Sequence, residues 1–264
     1  MVSPAHGIHA RSAPRAVAED ATDIVDATGA IWHPSPNFGP RRHGGGPSLV
    51  VLHYTAMVSA EAALERLCDT APPDGLGQVS AHYLICPRGR VWQMVREADR
   101  AWHAGAGNWA GCADVNSHSI GIELANDGSS PFAEAQFAAL ERLLSGIQRR
   151  WNIPPSGVIG HSDMAPGRKI DPGPRFDWRR LARRGLAIWP DDAASGTPDQ
   201  AGQGFAADLH DIGYRPPEGA AADAEALMLD SFRMRFRPGG SGALSGADRR
   251  VARAVAAMVR GGLA

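Results

Sequence analysis

Lysine is almost absent from this sequence. Its 264 residues include 27 lysines and arginines, and 26 of these are arginine. The one lysine, Lys169, lies in the stretch GHSDMAPGRKIDPG at positions 160–173. An ammonium is a compact charge whose pKa shifts readily, whereas a guanidinium is a broad fork that stays charged. A chain that uses arginine elsewhere and keeps lysine here indicates a local need for the smaller cation.

Charge and hydropathy exclude two classes of partner. The formal net charge is −1, so the sequence indicates no polyanion-binding surface and we expect no nucleic acid partner. No apolar run is long enough to span a bilayer, so we expect no membrane segment. Apolar residues make up 44% and charged residues 21% of the chain, which is ordinary for a globular domain. Nothing in the sequence indicates an obligate protein partner.

Cysteine is scarce as well. Cys68, Cys86 and Cys112 are odd in number and widely spaced, so they indicate neither a disulfide framework nor a C-x-x-C motif. We expect three small, mostly buried thiols in a reducing compartment. The first 30 residues lack the apolar core of a secretory signal. These observations favour a cytoplasmic location, with the periplasm or cell envelope as the alternative.

Composition divides the chain into four parts. Residues 1–30 are predicted to form a loose N-terminal arm, followed by a main domain over 31–188. Small and polar residues then follow in PDDAASGTPDQAGQG, which predicts a linker at 189–203. The last part, 204–264, holds three short helical patterns separated by RPPEG and RPGGSG, which predict a three-helix module.

Buried strands are predicted at several points of the main domain. The run LVVL ends in His53, SIGIEL occupies 119–124, and Val158-Ile159 leads towards a second histidine. The segment at 81–95, AHYLICPRGRVWQMV, predicts two strands joined by a turn at Pro87-Arg88-Gly89.

Helices are predicted between these strands. Residues 59–68 are predicted to form one, with Ser59 as its N-cap. Residues 131–151 form the longest, with Ser130 as the cap and one apolar stripe. Residues 34–47 are predicted to be irregular from their glycine and proline content.

Two histidines and an aspartate are candidate metal ligands. His53 ends a buried strand, His161 follows another, and Asp171 lies ten residues beyond His161 across a loop that can fold back. Two imidazoles and a carboxylate are a ligand set of catalytic zinc, which keeps a fourth position for water and lowers its pKa to roughly 7. Spacing alone does not separate this interpretation from structural or surface histidines, so both stay open at this point.

Glu123 and Lys169 are candidates for chemistry beside such an ion. In SIGIEL, Ile120, Ile122 and Leu124 share one face, so Glu123 points to the other. A carboxylate inside a strand is disfavoured unless that face is wet or functional. Glu123 is therefore either a solvent-facing residue or a general base in a cleft. Lys169 either stabilises a developing oxyanion there or lies by chance on a surface loop.

Five ordered motifs resemble those of a known family. LHYT, SAHYLI, RAWHAG, SIGIELAN and GHSDMAPGRKIDPG, with SPNFGPR upstream, are similar to the zinc-dependent N-acetylmuramoyl-L-alanine amidases of the amidase-2 family. The resemblance spans about residues 31–182. It implies an α/β fold in which helices flank a mixed central β-sheet. It also implies hydrolysis of the amide between N-acetylmuramic acid and L-alanine in peptidoglycan or its anhydro-muropeptide fragments, as in cell-wall recycling.

The resemblance also implies roles for single residues. The family's three zinc ligands match His53, His161 and Asp171. Glu123 matches the proposed general base, and Lys169 matches the lysine proposed to stabilise the transition state. Aspartate as third ligand points to the bacterial branch, because phage-type relatives often have cysteine there. Those relatives carry a tyrosine where this chain has Ala81, so the catalytic proton transfers fall to Glu123.

Other candidates have more than one interpretation. Trp102 is either a sugar-stacking residue or a buried aromatic, and His103 is a candidate for contact with substrate or with the ligands. DIGY and FRMRFRP near the C-terminus resemble three-helix peptidoglycan-binding domains, with a plain helical cap as the alternative. For the whole chain, the alternatives to an amidase are a non-catalytic muropeptide-binding or sensing protein and a peptidase that cuts elsewhere in the stem peptide. Retention of all three ligands favours the amidase.

Overall fold

A mixed α/β fold is seen in the computed structural model, which describes residues 25–73, 75, 77–190, 204–220 and 222–262. The predicted arm up to residue 24 and the predicted linker from residue 191 lie outside these residues. The strands, in chain order, are β1 (Ile31–Trp32), β2 (Phe38–Pro40), β3 (Leu49–Tyr54), β4 (Tyr83–Ile85), β5 (Val91–Gln93), β6 (Asp99–Ala101), β7 (Ser119–Leu124) and β8 (Val158–Gly160).

Six of these strands form the central sheet, in the order β1-β5-β4-β7-β3-β8. Strand β3 is parallel to both β7 and β8, and β4 is parallel to β7. The hairpin β4–β5 is antiparallel, as the turn at Pro87-Arg88-Gly89 predicts. Strands β2 and β6 form a separate antiparallel pair, so part of the segment predicted to be irregular is a short strand.

Helices cover the sheet. They are α1 (Ala60–Cys68), α2 (Val115–His118), α3 (Glu134–Trp151), α4 (His161–Met164), α5 (Trp178–Arg183), α6 (Phe205–Ile212), α7 (Ala224–Phe236) and α8 (Gly246–Arg260). The Ser59 side chain caps α1 as predicted, by accepting from the Ala62 amide. In the described part of the chain no helix combines the length and apolar character needed to cross a bilayer.

The long helix α3 begins later than predicted. Its first residue is Glu134, and Ser130 does not cap it. The cause is Asp127, whose carboxylate accepts from the amides of Ser129 and Ser130 and from the Ser130 hydroxyl. Because the serine is held in this turn, its side chain is not free to start the helix. The apolar stripe itself is buried as predicted.

Alternating residues of β3 pack into two separate apolar cores, one on each face of the sheet. Val50 and Leu52 pack with the apolar face of α3, whereas Val51 packs with Ile159 of β8 and with the C-terminal helices. His53 follows the same alternation as Val51, so it faces the side of the sheet that the C-terminal helices cover. This side carries the candidate site.

The three C-terminal helical patterns are all helical in the structure, as α6, α7 and α8. Their apolar residues share one cluster with Trp109, Ile159 and Met164 of the main domain. At the other end of the described chain, residues 25–30 were predicted to belong to the loose arm, yet Ala27 is in the core and the Asp26 amide donates to Gln93. Cys86 is buried, Cys68 and Cys112 are half-buried, and all three are free thiols.

Candidate active site

The parallel strands β3, β7 and β8 place the candidate residues at one edge of the sheet. His53 of β3 lies directly opposite Glu123 of β7 in the strand register. Strand β8 pairs with β3 from the other side and ends at Gly160, so His161 follows it as the first residue of α4. The carboxyl ends of parallel strands meet at the same edge, which explains why residues far apart in sequence converge here.

Asp171 reaches this edge because the chain folds back after α4. The Ser162 amide donates to the Asp171 carbonyl oxygen at 2.8 Å. This contact brings the Asp171 carboxylate to both histidines. Its Oδ2 lies 2.9 Å from His53 Nδ1 and 3.0 Å from His161 Nδ1, and the two nitrogens are 2.9 Å apart. All three residues are buried.

The hydrogen bonds on the far side of each ring assign the ring protons. Ser119 Oγ donates to the Val115 carbonyl oxygen at 2.6 Å, so it accepts from His103 Nε2 at 3.2 Å. His103 Nδ1 is then the acceptor of the His53 Nε2 proton at 3.1 Å. His161 Nε2 lies 2.8 Å from the Ala104 carbonyl oxygen, which can only accept. Both histidines therefore carry their proton on Nε2.

The consequence is a cluster of three lone pairs. His53 Nδ1, His161 Nδ1 and Asp171 Oδ2 face one another at about hydrogen-bond distance, and neutral rings leave no proton between them. Such an arrangement is repulsive unless a cation occupies its centre. One ligand atom from each of these residues lies within 4.8 Å of the others. Two imidazoles and a carboxylate match a catalytic zinc set, and the Nε2 contacts match the outer hydrogen bonds of metal-bound histidines. The residues fit a metal ion.

Protonation of the candidate ligands follows from their burial. Burial, followed by the neighbouring His161, lowers the pKa of His53 to about 4. For Asp171, burial acts to raise the pKa, but the close contacts with His161 and His53 outweigh it and hold the pKa well below the usual range. Both residues are therefore ready as ligands at neutral pH, since metal ions bind deprotonated side chains.

Glu123 is the acidic residue nearest to this set in the strand register. The residue is partly exposed, but its Oε2 is buried and has no hydrogen-bond partner. Burial, followed by the charge of Asp171, raises the pKa of Glu123 to about 8, while Lys169 acts in the opposite direction. An unpaired carboxylate oxygen beside candidate metal ligands suits a proton-transfer group, because the partner of such a group is the reactant.

Lys169 lies on the loop that returns to Asp171. Its amide donates to the Ala165 carbonyl oxygen at 3.1 Å and the residue is half-buried. Its charge lowers the pKa of both Glu123 and His53. The structure thus brings together the five residues that the sequence singled out for metal binding and catalysis.

The two candidates for substrate contact lie differently. His103 is next to His53 and faces the ligands, as the hydrogen bonds above describe. Trp102 is half-buried, and its amide donates to Ser80 Oγ at 2.9 Å. A role for Trp102 in binding sugar stays a prediction.

Sequence reasoning missed the residues that support His103. Asn116 Oδ1 accepts from the amides of His103 and Ala104. Gly121 makes room for the ring, because a Cβ there would lie 2.4 Å from His103 Cγ. Gly121 lies in the SIGIELAN motif, two residues before Glu123 and on the same strand face. This shared face is the sequence feature that could have indicated a role for Gly121.

Arg41 stabilises the backbone near His103 and Asn116 through its guanidinium. Its guanidinium donates to the carbonyl oxygens of Glu97, Asn116, Ser117 and Ser119. One arginine thereby satisfies four backbone acceptors, three of which lie in α2 or at the start of β7. Arg41 is the last residue of SPNFGPR, a motif that was noted without a role for this residue.

Comparison with known proteins agrees with this geometry. Residues 43–174 match the family Amidase_2, described as N-acetylmuramoyl-L-alanine amidase. The chain is 42% identical over 215 residues to N-acetylmuramoyl-L-alanine amidase AmiD of Escherichia coli K12, covering 72% of this chain and 75% of AmiD.

Solved structures of two relatives share the fold. AmiD from E. coli, in complex with the substrate anhydro-N-acetylmuramic acid-L-Ala-D-γ-Glu-L-Lys, matches with a TM-score of 0.68 and 34% identity, over 81% of this chain and 90% of AmiD. AmpDh3 from Pseudomonas aeruginosa, in complex with anhydromuramic pentapeptide, matches with a TM-score of 0.69 and 32% identity, over 84% and 94%. The family match, the relatives and the site agree: this chain belongs to the amidase-2 family of N-acetylmuramoyl-L-alanine amidases.

Proposed function

We propose that this protein hydrolyses the amide bond between N-acetylmuramic acid and L-alanine in anhydro-muropeptides, as a zinc enzyme of cell-wall recycling. The observation that carries the proposal is the convergence of three lone pairs beside a carboxylate with an unpaired oxygen. The complexes of AmiD and AmpDh3 with anhydro-muramyl peptides support this class of substrate.

His53, His161 and Asp171 would hold the zinc ion. Zinc, when bound, supplies a Lewis acid that polarises a carbonyl oxygen and makes water more acidic. The charge of the ion would also favour the ionised form of Glu123, because it offsets the Asp171 charge that raises the pKa of Glu123.

Glu123 moves the proton in this mechanism. Its unpaired Oε2 accepts a proton from the attacking water as the water oxygen bonds to the lactyl carbonyl carbon. Lys169 provides a positive charge for the oxyanion that develops on the carbonyl oxygen. When the carbon–nitrogen bond breaks, Glu123 returns the proton to the alanine nitrogen. Acid and peptide amine are then the products, and Glu123 is ready for another turnover.

Product analysis tests the proposal. The purified protein is incubated with anhydro-N-acetylmuramic acid-L-Ala-D-γ-Glu-L-Lys, once with equimolar zinc and once after chelation, and the products are identified by mass spectrometry. An amidase releases the intact peptide beginning at L-alanine, only with metal present, and Asp171→Asn removes the activity. Cleavage inside the peptide would indicate a peptidase. No cleavage by zinc-loaded protein would indicate a binding or sensing protein.

Two further parts of the proposal need their own experiments. A cytoplasmic site of action is tested by fractionation of the native protein, with recovery in the envelope as the contrary outcome. Peptidoglycan binding by the C-terminal helices is tested by co-sedimentation of the full chain with purified sacculi.

A further inference from the structure

The C-terminal helices contact the segment that carries two of the candidate ligands. Asp163 lies two residues after His161 and is fully buried. Its Oδ1 accepts from the Tyr214 hydroxyl at 2.6 Å, and its Oδ2 accepts from Arg235 Nη1 at 2.7 Å. Tyr214 follows α6 and Arg235 lies in α7. The hydroxyl that orients this carboxylate and the guanidinium that neutralises it therefore both come from the last third of the chain.

The same carboxylate shapes the turn that presents His161. Asp163 Oδ2 also accepts from the Gly160 amide at 2.8 Å, at the junction of β8 and α4. Arg235 reinforces the junction, because its Nη2 donates to the Val158 carbonyl oxygen at 3.0 Å. Helix α4 has four residues, too few to be stable alone, so its position depends on such tertiary contacts.

The loop beyond α4 rests on α7 as well. Met164 belongs to the apolar cluster of the C-terminal helices. Leu227 of α7 lies close to Gly167, where an added Cβ would meet Leu227 Cδ2 at 2.9 Å. This loop continues through Lys169 to Asp171. The contacts with the C-terminal helices therefore include Asp163, Met164 and Gly167, which lie between the second and third candidate ligands.

We propose that Tyr214 and Arg235 are positioning residues for the metal site, which act through Asp163 on the turn that carries His161. On this inference, the C-terminal helices help to position the candidate metal ligands and are not only an attached binding module. The inference rests on the proposed metal site, but hydrogen exchange tests it without metal.

Arg233 provides a matched control. It is a buried arginine of the same helix and donates to a fully buried aspartate, Asp248, at 2.7 and 3.0 Å. Removing either arginine takes a charged partner from a buried carboxylate, and Asp248 keeps a second one, Arg237. Only Arg235 is connected to the turn of His161. Comparing Arg235→Gln with Arg233→Gln thus separates positioning of the site from stability of the module.

The experiment measures three properties of the full-length variants. They are amide hydrogen exchange at Gly160 and Ser162 in metal-free protein, the affinity and visible spectrum of bound Co²⁺, and kcat and KM separately. Arg235→Gln is expected to speed exchange, alter the Co²⁺ spectrum, weaken Co²⁺ binding by about tenfold and lower kcat with KM within about twofold. Arg233→Gln is expected to leave all of these near the wild-type values. Arg235→Lys is expected to recover part of the loss, because its ammonium still reaches Asp163.

Tyr214→Phe covers the case in which Arg235→Gln fails to fold. It removes one hydroxyl and keeps the ring contacts with Trp109 and Phe232, and a smaller change in the same direction is expected. Equal effects of Arg235→Gln and Arg233→Gln, or wild-type behaviour of Tyr214→Phe in all three measurements, would overturn the inference. If the wild-type protein binds no Co²⁺, the proposed metal site fails, and the exchange rates still decide whether these residues fix the turn.

Discussion

A single methyl group at Gly121 is expected to disturb the candidate metal site without touching a candidate ligand. A Cβ there would lie 2.4 Å from His103 Cγ and 2.7 Å from His103 Nδ1. Since ordinary contact begins near 3.4 Å, the ring has to retreat by about 1 Å. The hydrogen bonds of His103 to His53 and Ser119 are already 3.1 and 3.2 Å long, so a shift of this size breaks them.

The loss has two separable consequences. His53 loses the acceptor that keeps its proton on Nε2, and removing such an outer partner weakens metal binding by about 10–100-fold, or about 1.4–2.8 kcal/mol. Overfilling the site also lowers the free energy of unfolding by about 1–3 kcal/mol. We therefore expect Gly121→Ala to bind zinc more weakly even at temperatures where it is fully folded.

Chelator competition measures this effect. The zinc dissociation constant of Gly121→Ala is compared with that of Gly39→Ala, well below both unfolding midpoints. Gly39 is also a strand glycine, but a Cβ there meets nothing within 4 Å. If both variants bind zinc within about twofold of each other, the reasoning about His103 is wrong.

Three further outcomes are expected. Glu123→Gln should lower kcat by about 10²–10⁴-fold with unchanged zinc content by elemental analysis, and wild-type turnover would contradict the assignment of the base. Lys169→Arg should lower kcat although it keeps the charge, because the guanidinium is broader than an ammonium, and Lys169→Met should lower kcat further. Equal kcat values for Lys169→Arg and the wild type in steady-state kinetics would count against the need for lysine. Metal-free protein should lose stability in urea as pH falls below about 6.5, since burial lowers the pKa of His53 to about 4, of His82 to about 3, and of His103 well below its usual value. Below that pH the unfolded state binds more protons than the folded state, so each of these histidines lowers the free energy of unfolding by on the order of 1.4 kcal/mol per pH unit. Glu123, whose pKa is raised to about 8, has the opposite effect and offsets only part of this loss. A free energy of unfolding that stays constant between pH 7 and 5 would refute the prediction.

The strand face on which Glu123 lies was predictable from sequence because strand alternation is a local property. Ile120, Ile122 and Leu124 occupy one face of β7, and this places Glu123 on the other face, as the structure confirms. The residues alone left the interpretation of His53, His161 and Asp171 as ligands open, and the motif resemblance supported it. Spacing could not supply it, because pairing His53 with His161 depends on the strand order of the sheet.

The supporting contacts were not predictable for a related reason. Asp163 is fixed by Tyr214 and Arg235, which are 51 and 72 residues away in sequence. No local pattern links such residues, since their proximity follows from how the C-terminal helices pack. The start of α3 was missed for the opposite reason: the competing turn around Asp127 is local, but its carboxylate outweighed the helix-capping preference of Ser130.

The scarcity of lysine gives this protein a built-in labelling position. Reagents that acylate primary amines usually modify many surface side chains, but here Lys169 is the one side chain available to them in the entire sequence. It is half-buried on the loop leading to Asp171, so its reaction rate reports on one location. A fluorophore or isotope attached there would report on the candidate site through the loop that leads to Asp171.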